Sequence, residues 1–119
     1  MAVQASNRSD LKTGLPAAII GWATLANGDT GDPVEMVDYP DKTVTITGTF
    51  GVGGSITLQG SNNNSDWFAL TDPQGNALTK TAAAMELVLE CPRWIRPNVT
   101  AGDGTTALVV QILCRRTSR

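Results

Sequence analysis

The sequence predicts an all-β fold, a jelly-roll-like β-sandwich of about eight short antiparallel strands behind an extended N-terminal arm. Three observations predict it. Apolar residues alternate with polar ones at a period of two in Thr43 to Phe50 and again from Ser55 to Gln59. Clusters of Gly, Asn, Asp and Pro separate the apolar stretches at short intervals. The only helix-leaning spot, Ala82-Ala83-Ala84, is too short to nucleate a helix. A chain of 119 residues supports one core and one domain.

Residues Met1 to Gly14 are polar, lack periodicity and read as an arm with little structure of its own. Leu15 to Leu25 carries Ile19, Ile20 and Trp22, and Gly14 just before it with Pro16 and Gly21 inside it favour an extended strand over a helix. Asn27 to Pro33 is loop, and Val34 to Val37 is a short strand ended by Tyr39-Pro40-Asp41-Lys42. In Thr43 to Phe50, Val44, Ile46 and Phe50 face one side and four threonines the other. Gly51-Val52-Gly53-Gly54 turns the chain, so Thr43 to Phe50 and the strand of Ile56 and Leu58 are expected to form a hairpin.

A second turn at Gly60 to Ser65 joins Ile56 to the strand Trp67 to Thr71. Asp72-Pro73-Gln74-Gly75 has the composition of a type I turn. Leu78 to Thr81 reads as strand, and Met85, Leu87, Leu89 and Cys91 form the apolar face of the next. Trp94 to Thr100 follows, with Pro97 marking an edge or a bulge. After the turn Ala101 to Gly104, Leu108 to Cys114 is apolar on both faces and reads as a central strand. The domain spans 15–116, with a basic tail at 117–119 next to Arg115 and Arg116.

Composition narrows the chemistry. The formal net charge is −2, against the basic excess of a generic nucleic-acid binder. The longest apolar run, Ala107 to Leu113, is too short to span a membrane. Met1 to Ser6 lacks the pattern of a secretory signal, so assembly in the cytoplasm is expected. The chain has no His, the commonest general base and metal ligand. Glu86 and Glu90 share a strand face but read as a solvated face rather than a glycosidase pair. Asp29, Asp32, Asp38 and Asp41 lack calcium-loop spacing. Cys91 and Cys114 are expected to be free thiols, although their strand-end positions leave a bridge open. No enzyme activity, cofactor or metal is expected. Trp22, Trp67 and Trp94 are expected to pack in the core or at subunit contacts, with sugar stacking as the alternative.

Gly54 to Asn62 followed by Asp66-Trp67-Phe68-Ala69-Leu70 resembles a strand-turn-strand of β-sandwich modules in phage structural proteins. Together with Thr43 to Phe50, Leu70 to Leu78, Pro92 to Pro97 and Gly102 to Thr106, it is similar to a family of small tailed-bacteriophage capsid cement or decoration proteins. The likeness covers about Asp41 to Arg116; the Asn63-Asn64-Ser65 turn departs from the Asn-Asp-Gly expected there. The resemblance implies a protein of the virion that binds the outside of the major capsid protein shell and also itself, as a homodimer ahead of a homotrimer. It implies no nucleic-acid or membrane partner. The alternative is a carbohydrate-binding module of a phage tail or fibre. The interface candidates are Val3, Arg8 and Leu11 of the arm, Leu15 at the start of the domain, and Arg115 and Arg116 at its end. On this reading the arm reaches a neighbouring subunit and is dispensable for the fold, and Trp67 is the packing centre of a scaffold.

Overall fold

The computed structural model describes residues 2–11 and 16–116. Its twelve strands, among the described residues, are β1 (Val3–Gln4), β2 (Ser6–Asp10), β3 (Ala17–Leu25), β4 (Thr30–Gly31), β5 (Val34–Glu35), β6 (Asp41–Thr49), β7 (Ser55–Ser61), β8 (Phe68–Ala69), β9 (Thr79–Lys80), β10 (Ala84–Leu87), β11 (Trp94–Ala101) and β12 (Ala107–Arg115). They build two sheets. One runs β10-β6-β12-β3-β2; the other runs β1-β4-β11-β7-β8, with β5 beside β11 and β9 beside β7. Every pairing is antiparallel except that of β1 with β4. This is the all-β sandwich the sequence predicts.

The core lies between the sheets. The five-stranded sheet contributes Ile20, Trp22, Leu25, Val44, Ile46, Leu108, Val110 and Ile112; the other contributes Ile56, Leu58, Ile95 and Val99. All are buried, as their period-two spacing requires. β12 is central, between β6 and β3. Its outward residues Gln111 and Leu113 are nonetheless exposed, so it is covered on one face only.

Trp22 fixes the distance between the sheets. A Cβ added at Gly31 would sit 2.5 Å from Pro97 Cδ and 2.8 Å from Trp22 Cδ1. Only a residue without a side chain fits between the indole and the Pro97 ring. Pro97 is neither at an edge nor at the bulge, which falls between Val99 and Ala101. It is tolerated inside β11 because its nitrogen faces a gap. The Val99 amide donates to Asp29, and by alternation residue 97 faces the same way, between the registers of β5 and β4.

Three further expectations are corrected. Thr43 to Phe50 and the strand of Ile56 and Leu58 do not pair, because β6 and β7 lie in different sheets. The turn between them has positive φ at Gly51 and Gly53 and carries the chain across the sandwich. Met85, Leu89 and Cys91 face out, and Val88 faces in. The amides of Val88 and Leu89 donate to opposite sides, to Lys42 and Thr71, so the chain stays extended and the alternation persists with its two faces exchanged, Glu86 and Glu90 being held on the side of Val88 by Lys80 and Thr71. The N-terminal segment is not without structure. β2 pairs with β3 along Ser6 to Asp10, and β1 pairs with β4.

The crossing turn at Gly51 to Gly54 is held by Asp103. Its carboxylate accepts from the Val52 amide at 2.9 Å and from the amide and hydroxyl of Thr105 at 2.8 and 2.6 Å. The Thr106 hydroxyl donates to Phe50 O at 2.8 Å. The Thr105 hydroxyl first, then the Val52 and Thr105 amides, hold the Asp103 pKa down at about 2, below the ordinary 3.8. A depressed carboxylate stabilises the fold above its unfolded pKa and loses that contribution as pH falls through its folded pKa. Stability is therefore expected to drop between about pH 4 and pH 2. In Asp103→Asn, urea midpoints across that range should fall less steeply with acid than in the wild type.

Candidate interaction surface

Arg8 and Arg116, far apart in sequence, line one cleft. Arg8 comes from β2, Glu35 from β5, Val37, Asp38 and Tyr39 from the loop before β6, Arg93 from the approach to β11, and Arg116 from the end of β12. The open cleft has a volume of about 550 Å3. Arg8 Nη2 donates to the Tyr39 hydroxyl at 2.7 Å and its Nε to Asp10 at 2.9 Å, with the guanidinium 5.8 Å from the Tyr39 ring centroid. The hydrogen bond to Asp10 outweighs partial desolvation and raises the Arg8 pKa above its usual value. Arg93 Nε donates to Glu35, and its guanidinium lies over the Trp94 ring.

Stacked and paired guanidinium groups are fixed in position at little further entropy cost on binding, and each keeps N–H donors free of these bonds. Three arginines meet three carboxylates, Glu35 and Asp38 of the lining and the Asp10 paired with Arg8, so guanidinium groups are gathered in the cleft without a net basic excess. Val37, 64 % exposed, adds an apolar rim. This combination of Arg, Tyr and an exposed aliphatic suits a protein partner with carboxylates.

The other interface candidates are dispersed. Val3 is exposed on β1, in the opposite sheet. Leu11 is exposed just past β2, and Arg115 is ion-paired with Asp41 across β12 and β6. Leu15 lies outside the described residues, as do 12–14 and 117–119. Sequence reasoning missed Val37, Tyr39 and Arg93. Arg93 carried one signal, its place beside Trp94 inside the Pro92 to Pro97 stretch.

A second cleft, of about 570 Å3, is lined by the β7–β8 turn and Glu90 to Pro92, with Phe68 71 % exposed on its rim. Its polar atoms already hold the fold. Asn63 Oδ1 accepts from Ser61, Ser65 and Asp66, and its amide donates to Asp66. Asn62 accepts from the Arg93 amide, and both Glu90 oxygens accept from Thr71. Burial pushes the Glu90 pKa up, but the Thr71 bonds outweigh it and the pKa lies low. Glu86 is paired with Lys80, so the two glutamates serve different partners.

The tryptophans divide. Trp22 is core and donates to Asp32 O at 2.9 Å. Trp67 is half-buried with the Arg96 guanidinium 4.1 Å from its ring centroid, and so is not the packing centre expected of it. The acidic loop is structural. Asp29 accepts from the Ala26 and Ala2 amides and from Gln4, and these bonds, Ala26 first, lower its pKa. Among the described residues no three His, Cys, Asp or Glu side chains cluster as metal ligands. Cys91 is exposed and Cys114 buried, and both are free thiols.

No family model matches the sequence, and no curated protein matches it. Solved structures match its fold. The SPBc2 prophage-derived protein YomS superimposes with a TM-score of 0.62 at 11 % identity, covering 92 % of this chain and 91 % of that one. Peruvianin-I, a cysteine peptidase from Thevetia peruviana latex, gives 0.46 at 13 % identity over 94 % of this chain and 63 % of that one. An oxalate oxidase gives 0.45 at 12 % identity, and the chain spans 92 % of itself but half of that protein. The likeness to the prophage-derived protein runs along nearly the full length of both chains, and at this identity what the two share is the sandwich.

Proposed function

We propose that this chain is a non-catalytic structural protein of a tailed phage, a decoration protein that binds the outside of the capsid shell and stabilises the head. The observation that carries the reading is the cleft in which Arg8, Arg93 and Arg116 surround Tyr39 and Val37. A rigid sandwich presenting pre-positioned guanidinium groups suits repeated, modest contacts with carboxylates on a shell, which symmetry then multiplies. The sequence resemblance to capsid cement proteins and a fold shared with a prophage-derived protein support the same reading. Such a protein works as a homo-oligomer, with a dimer preferred.

The test is cosedimentation of the full-length protein with shells of the cognate major capsid protein. Saturable binding is expected. The double variant Arg93→Glu, Arg116→Glu should weaken it by at least about ten-fold, since reversing surface charges places like charges across the interface. Unchanged binding by that variant removes the cleft from the contact. A protein that leaves shells bare and labels only phage tails overturns the capsid assignment.

A further inference from the structure

The two outer faces of the sandwich differ in charge. On the seven-stranded sheet, Arg96 lies outward over Trp67 and hydrogen-bonds Gln59 at 2.9 Å. Among the described residues, the outer face of the five-stranded sheet has no charged side chain across its middle. Its register places Leu87, Thr43, Leu113, Ile19 and Ser9 in one row, and Met85, Thr45, Gln111, Gly21 and Asn7 in the next. Val109 pairs with Thr47 beyond them. Met85 is 67 % exposed and Leu113 39 %, while Ile19, Leu87 and Val109 are half-buried. The nearest charges, Arg115 and Asp41, lie at one end and are paired with each other.

We infer that this face binds a second copy of the chain, so that two five-stranded sheets stack back to back across a two-fold axis. Two features select a second copy as occupant. An uncharged face meets its own image without like-charge repulsion, and depletion of charge at the centre is what the middle of an interface shows. The area also suffices. Five strands about 4.8 Å apart, of four, nine, nine, nine and five residues rising about 3.4 Å each, present on the order of 600 Å2. That is the lower end of the roughly 600–1,000 Å2 per partner that stable interfaces bury. Aliphatic side chains from two such faces interdigitate at about 10 Å, as stacked sheets do. Arg8 points to the other side of β2 from Asn7 and Ser9, so the arginine-lined cleft is not consumed by this contact.

This inference deepens the homo-oligomer part of the proposed function and is tested apart from shell binding. Sedimentation equilibrium of the full-length protein should show a dimer. Leu113→Lys should raise its Kd by at least about ten-fold, because each substitution appears twice near the axis. Gln111→Lys replaces an exposed side chain, cannot disturb the core, and should act in the same direction. Urea midpoints followed by intrinsic tryptophan fluorescence verify folding. A wild type monomeric into the submillimolar range overturns the inference, as does a trimer, or a dimer indifferent to both lysines. The Arg93→Glu, Arg116→Glu variant should remain dimeric. Intact dimers without shell binding refute the capsid reading alone; shell binding by monomers refutes the dimer alone.

Discussion

Replacing Trp22 with Ala should cost about 3–5 kcal/mol, the range for removing a buried aromatic side chain. Trp22 is fully buried and is the largest side chain of the core. Three losses add. The indole leaves a cavity where it meets Gly31 and, beyond it, Pro97. The Asp32 carbonyl loses its donor. The neighbouring strands cannot close the gap, because Trp22 sits within paired β3 and the Pro97 ring within paired β11. Against a typical total of about 5–15 kcal/mol, this is a large share of the stability. The thermal midpoint should fall by roughly 10–20 °C. Trp22→Phe should lose less, since it keeps an aromatic body and forfeits the hydrogen bond. Thermal denaturation followed by circular dichroism measures both, and equal midpoints for Trp22→Ala and the wild type would refute this account of the core.

The sequence displayed the strands better than their partners. Period-two alternation located the inward residues Val44, Ile46, Ile56 and Leu58, because burial on one face of a strand is a local pattern. It was blind to which strand comes alongside. Gly51 to Gly54 looks like a hairpin turn from its composition, yet its positive-φ glycines serve equally well to carry the chain from one sheet to the other. Alternation misled at Met85 to Cys91 for a related reason. The period of two holds through this stretch, but which of its faces meets the core is set by distant partners, Lys80 for Glu86 and Thr71 for Glu90. The candidate surface was half legible. Arg8 and Arg116 were visible as charges near the ends of the sequence. Tyr39 and Arg93 joined them only through the fold, in which the loop before β6 and the approach to β11 meet the edge formed by β2.

Deleting Ala2 to Asp10 should destabilise the protein and promote its aggregation, contrary to the view of this segment as a dispensable arm. β2 pairs with Trp22 through Ala18 of β3, and the carbonyls of Ala2 and Gln4 accept from the Thr30 and Asp32 amides at 2.8 and 2.7 Å. Gln4 and the Ala2 amide also bond Asp29, and Arg8 bonds the Tyr39 hydroxyl. Each such bond contributes about 0.5–1.5 kcal/mol net, and ordering nine residues offsets part of the sum. A loss on the order of 3 kcal/mol is expected. The kinetic consequence is larger. Removal of β2 leaves β3, with Ala17-Ala18-Ile19-Ile20-Gly21-Trp22, as a long apolar edge strand with unpaired backbone groups. Such edges template pairing between chains, and polar β2 (Ser6-Asn7-Arg8-Ser9-Asp10) covers this one. The truncated protein should therefore show a lower urea midpoint and time-dependent light scattering at concentrations where the full chain stays clear. A truncation that keeps the wild-type midpoint and stays clear would return the segment to the role of a free arm.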